Sequence, residues 1–141
     1  MADVVSPAHR SRMMSGIRAR DTKPEKLVRS ALHRMGFRFR LHVKALPGRP
    51  DIVLPRYQTV IMVHGCFWHR HPGCKFAYVP KSRLAFWKQK FQANCLRDER
   101  DIDTLTRLGW RVIIVWECET RGLRTFETRM RSLAKVLAAS A

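Results

Sequence analysis

Residues 66–80 constrain this chain more than any other stretch. Cys66 through Pro80 mixes cysteine, histidine and aromatic side chains with no period of two or of 3.6, and it is too long for a tight turn. Something other than a regular element has to order it. It is entered from two short β-rich runs, Asp51 to Leu54 and Thr59 to Val63, which are expected to pair across Pro55-Arg56-Tyr57-Gln58, the second ending at His64-Gly65. It leads into a stretch from Ser82 to about Leu108 that reads as helix, with Leu84, Trp87 and Phe91 on one stripe and Ile102, Leu105 and Leu108 on another, an acidic group (Asp98, Glu99, Asp101, Asp103) between them, and room for a break near Cys95.

The remaining elements follow from local signals. Thr22-Lys23-Pro24-Glu25 has the pattern of a capping box with proline in the first turn, and Leu27, Val28, Ala31, Leu32 and Met35 follow at helical spacing until Gly36. Phe37, Phe39 and Leu41 alternate with Arg38, Arg40 and His42 as in a half-buried strand, and Leu46-Pro47-Gly48-Arg49-Pro50 is a turn. Trp110 to Trp116 is the strongest strand in the chain, and a last helix is expected from about Leu123 to Ala138. The order helix, three strands, helix, strand, helix predicts an α/β fold with a mixed sheet covered by helices.

Charge narrows the partners. The 141 residues suit one domain, and 28 Lys and Arg against 11 Asp and Glu give a formal charge of +17, which calls for a polyanion. The first 23 residues hold Arg10, Arg12, Arg18, Arg20 and Lys23 with few large apolar groups, and read as a basic arm that tracks phosphates or as a solvated tail. No apolar stretch approaches the roughly 20 residues that span a bilayer, and no secretory signal is visible at the start, so a cytoplasmic protein without a membrane role is expected. In that compartment the four cysteines fit metal binding better than disulfides.

Four positions suit a zinc ion. Cys66, His71 and Cys74 have spacings that a loop can fold around a tetrahedral metal, and Cys118, just beyond the strongest strand, would be the fourth ligand and clip the loop to the sheet. The alternative for Cys118 is a small buried hydrophobe; Cys95 reads as a free core thiol. Asp51 is the only carboxylate between Glu25 and Asp98, and it opens a strand. It can cap the turn and pair with Arg49, or it can serve as an oxygen ligand for Mg²⁺, which often needs only one or two carboxylates plus phosphate and water. His64 and His69 are left free for proton transfer, with Glu25 a third candidate that its capping role would also explain. Phe67 and Trp68 stand together in a polar loop where burying both looks awkward, so they are expected to be exposed and to stack on bases; Trp87 lies on an apolar stripe and reads as core.

The strings Leu46-Pro47-Gly48-Arg49-Pro50-Asp51, Val63-His64-Gly65-Cys66-Phe67-Trp68-His69, Gly109-Trp110-Arg111-Val112 and Val115-Trp116-Glu117-Cys118, with Arg20-Asp21-Thr22 and Glu25-Lys26, closely resemble the very-short-patch-repair mismatch endonucleases, the Vsr family. The likeness runs from Ala2 to Arg121 and leaves only the last helix generic. It implies a restriction-endonuclease-like catalytic domain over residues 24–141 with residues 1–23 as a DNA-contacting arm. It also implies a Mg²⁺-dependent nick 5′ to the thymine of a T·G mismatch, the product of 5-methylcytosine deamination, beginning very short patch repair. On this likeness Asp51 and the main chain at Val63 hold magnesium, His69 is the general base, and His64 and Glu25 support the site. Cys66, His71, Cys74 and Cys118 hold structural zinc, and Phe67, Trp68 and Trp87 form an aromatic wedge, which reverses the core reading of Trp87. The implied partners are mismatched duplex DNA in the nucleoid, a companion cytosine-5 methyltransferase and mismatch-repair proteins, with the enzyme a monomer. Gly65 stands where restriction enzymes usually carry a catalytic lysine, so histidine chemistry has to substitute. A sequence-specific double-strand endonuclease on the same fold and a non-cleaving module for distorted DNA are the competing functions.

Overall fold

The computed structural model describes residues 21–139. Among these residues, three α-helices, α1 (Lys23–Arg34), α2 (Leu84–Arg107) and α3 (Leu123–Ala139), enclose a sheet of four strands, β1 (Arg40–Leu41), β2 (Ile52–Leu54), β3 (Thr59–His64) and β4 (Arg111–Trp116). The strands lie in sequence order, β1 to β3 antiparallel and β4 parallel to β3, so the sheet is mixed as expected. The parallel step needs a crossover, and α2 provides it.

Side-chain alternation sends each strand to two cores. Ile52, Leu54, Ile61 and Val115 face α1 and α3, where they meet Val28, Leu32, Met130, Leu133 and Leu137. Val53, Val60 and Met62 face the other way, onto Leu105 of α2. Both faces are covered, which is why β2 reads as a continuous apolar run with no polar alternation. No helix among the described residues is long and apolar enough to cross a membrane.

Three expectations need adjusting. The strand predicted from Phe37 reduces to Arg40–Leu41 at the sheet edge. Phe37 and Phe39 pack against the first core, and the Phe37 amide bonds the Leu32 carbonyl at 3.0 Å, closing the end of α1 around Gly36 at φ +95°. α2 runs without a break through Cys95, which is half-buried. The largest difference concerns the aromatics. Phe67, Trp68, Trp87 and Phe91 are each less than 10% exposed and form a third, separate core. Phe67 and Trp68 are therefore not exposed as the polar loop suggested. Two helix rings meet two loop rings and bury one another.

Candidate active site and metal cluster

β2, β3, the loop after β3 and α2 converge on a cleft of about 780 Å³. Asp51, at the mouth of β2, turns its carboxylate toward β3, where Oδ2 accepts the Val63 amide at 2.7 Å. Burial, then the neighbouring Glu25 charge, push the Asp51 carboxyl up to about 8. Glu25 is itself buried and has a second task. The Glu25 amide donates to Thr22 Oγ1 at 3.4 Å, while its carboxylate accepts the Asp21 amide at 2.9 Å, so the capping box forms one residue out of register.

His64 ends β3, and His69 lies where the loop doubles back, its amide bonded to the Gly65 carbonyl at 3.0 Å. That turn stacks the two imidazoles, centroids 3.8 Å apart and planes 8° off parallel. Burial, then the proximity of His69, bring the His64 pKa down to about 4, so it is neutral at pH 7. His69 Nδ1 lies 2.6 Å from Asp98 Oδ2 on α2. A carboxylate partner assigns the proton to Nδ1, leaving the lone pair on Nε2.

Asp98 is the site residue that the sequence reading did not single out. The signal was present: Lys90, Asn94, Arg97, Asp98 and Asp101 recur at helical spacing, and all five line the cleft. Glu25, Asp51, Asp98, Asp101 and Glu117 bring five of the chain's 11 acidic residues to this one cavity. In a chain of charge +17 that concentration suits a cation held between protein and phosphate. A second gathering beside it, Asp21, Glu25 and His42, was also missed; Arg29 bonds Asp21 at 2.6 Å and holds its carboxyl below the usual range.

The four expected zinc ligands come together. Their donor atoms all lie within 4.8 Å of one another, with His71 Nδ1 3.7 Å from Cys66 Sγ and 3.4 Å from Cys118 Sγ. Trp116 stacks on the His71 ring at 4.2 Å and fixes its direction. Burial pushes the Cys66 thiol up to about 12 and raises that of Cys118. At Cys74 desolvation is the largest single effect and acts upward, but the Phe76 amide, the Cys66 and Cys118 thiols and the Ala77 amide together outweigh it, and its pKa falls. Lys23 is exposed on the first turn of α1 at the cleft rim. Arg10, Arg12, Arg18 and Arg20 lie outside the described residues.

The chain is similar to known proteins over most of its length. The family model described as DNA mismatch endonuclease Vsr matches residues 2–75. DNA mismatch endonuclease Vsr of Escherichia coli K12 is 51% identical over 122 residues, 86% of this chain and 78% of that protein. The type II nicking enzyme V.XorIIP of Xanthomonas oryzae pv. oryzae is 50% identical over 94% of this chain and 97% of its own length, and V.NmeAIP of Neisseria meningitidis serogroup A is 42% identical over 96% of each. Matched over nearly its whole length by nicking enzymes, this chain is a DNA endonuclease and belongs to the Vsr family of DNA mismatch endonucleases.

Proposed function

We propose that this endonuclease nicks one strand of duplex DNA 5′ to the thymine of a T·G mismatch, using Mg²⁺ at Asp51, and so starts the repair of deaminated 5-methylcytosine. The observation that carries the reading is that Asp51 and the His69–Asp98 pair line one acid-rich cleft. The donor set is oxygen, and the Asp51 carboxyl is held near 8 by burial and by Glu25, a charge conflict that a hard cation relieves. When bound, magnesium would neutralise phosphate charge and acidify an attacking water.

The chain's own residues supply proton transfer and alignment. His69 Nε2 accepts the proton of the attacking water, and Asp98 holds the ring's tautomer and stabilises the imidazolium that forms. His64, neutral and stacked on His69, fixes the ring plane without adding a competing charge. The Val63 amide orients Asp51. Glu25 acts beside Asp51 as the second carboxylate. No lysine is needed from position 65.

Cys66, His71, Cys74 and Cys118 are proposed to hold structural zinc. Sulfur at about 2.3 Å and nitrogen at about 2.0 Å from a tetrahedral ion lie about 3.5 Å apart. The two S–N distances, 3.7 and 3.4 Å, bracket that value. The ion would tie the loop carrying His69 to the end of β4. Phe67, Trp68 and Trp87 are proposed to enter the duplex beside the mismatch as a set. The arm of residues 1–23, with Arg10, Arg12, Arg18, Arg20 and Lys23, would grip phosphates of nucleoid DNA, and residues 24–141 would form the catalytic domain, related to restriction endonucleases. A monomer with one such site suits nicking, at sites set by a companion cytosine methyltransferase. Asp51→Ala tests the assignment: mismatched duplex should still bind while nicking is lost. Loss of binding and nicking together in a folded variant would overturn it.

A further inference from the structure

Arg70 makes more polar contacts than any side chain the reaction uses. Its Nη1 donates to the Phe67 carbonyl at 3.0 Å and the Tyr78 carbonyl at 3.1 Å, and its Nη2 to the Ala77 carbonyl at 2.7 Å. These acceptors lie at both ends of the irregular loop, so one planar group closes the loop on itself. The same guanidinium sits 3.8 Å over the centre of the Phe91 ring and 5.7 Å from that of Phe67. The backbone at Arg70 is left-handed, φ +54°, a conformation that a residue with a Cβ adopts at a cost.

The aromatic core has two halves, Phe67 and Trp68 on the loop and Trp87 and Phe91 on α2. Arg70 binds the loop through carbonyls and the helix through Phe91, so it fixes one half against the other. We propose that Arg70 is a positioning residue for mismatch discrimination, holding Phe67 and Trp68 in a single arrangement against Trp87 so that the aromatic set meets the duplex already formed. The inference rests on the reading of those aromatics as a duplex-entering group. Ordering that precedes binding does not have to be supplied by it, so the loss of Arg70 should weaken recognition and leave chemistry intact. Lysine carries the charge but has neither the planar fork nor the stacking face.

The test uses full-length Arg70→Ala and Arg70→Lys, nicking of T·G and T·A duplexes, bound-metal content and tryptophan emission without DNA. Arg70→Ala should raise KM for the mismatched duplex about tenfold with kcat within about twofold, lower the mismatch-to-match ratio about tenfold, and shift emission to the red with metal content unchanged. Arg70→Lys should fall between. A lower melting temperature with KM and discrimination unchanged would show a structural role only and overturn the proposal. So would loss of metal accompanied by collapse of kcat. If the wild type itself cuts matched and mismatched duplexes equally, the mismatch reading fails; unaltered emission in Arg70→Ala would then overturn the positioning role separately.

Discussion

His69 Nδ1 and Asp98 Oδ2 meet at 2.6 Å, joining the irregular loop to the long crossover helix at the wall of the cleft. The bond gives the imidazole a fixed tautomer and, on the proposed mechanism, ties proton transfer by His69 to the packing of α2. Asp98→Asn keeps the shape and reverses the proton preference. Its single-turnover nicking should fall at least about 10²-fold with DNA affinity unchanged. A rate within threefold of wild type would remove Asp98 from the mechanism.

Asp51 carries a stability cost with a defined sign. Its folded carboxyl is raised to about 8 from an ordinary 3.8, so the folded state holds a proton that the unfolded state releases. The native state therefore loses stability as pH rises between about 4 and 8. Asp51→Asn removes that titration, so it should be more stable than the wild type, by little at pH 4.5 and by on the order of a few kcal/mol at pH 8, with a correspondingly higher Tm. Thermal melts across that range in metal-free buffer check this; a gain independent of pH would contradict the buried-charge explanation.

The metal cluster should act on stability and on the His69 loop together. Cys118→Ser is expected to lower zinc content below one per chain and to reduce Tm. Retention of a full equivalent, measured by atomic absorption, would exclude the four-ligand set.

Gly48 supports Asp51 through close packing. It sits at φ +75°, and a Cβ there would come within 2.8 Å of Asp101 Cβ on α2. Gly48→Ala should destabilise the protein by about 1–3 kcal/mol and slow nicking, since the turn it distorts leads directly into Asp51. Unfolding in urea and a nicking assay would show both effects; wild-type values in each would mean that the turn adapts.

Trp68→Ala now carries two expected effects. The ring is 6% exposed within the aromatic core, so its removal should lower stability as well as mismatch discrimination. Equal losses of nicking on matched and mismatched duplexes would argue against entry of the ring into DNA.

What could be read from the chain followed the range of each interaction. β3, β4 and α3 were legible because their apolar periods are local, and the Cys/His cluster because three of its four members, Cys66, His71 and Cys74, lie within nine residues of one another. The Asp98 partnership spans 29 positions and had no local sign beyond a polar stripe on α2. Phe67 and Trp68 misled for the same reason: a polar loop gave no indication that Trp87 and Phe91 would come to cover them. His42 near Asp21 and Glu25 depends on the sharp turn after β1, where φ is +48° at His42 itself.

The most direct test of the central claim is denaturing-gel cleavage of labelled duplexes carrying one T·G pair in varied flanks, beside T·A controls, with Mg²⁺ or with EDTA. A single Mg²⁺-dependent nick 5′ to the mismatched thymine is the predicted result. Cutting of both strands in the T·A control, or nicking that persists in EDTA, would contradict it.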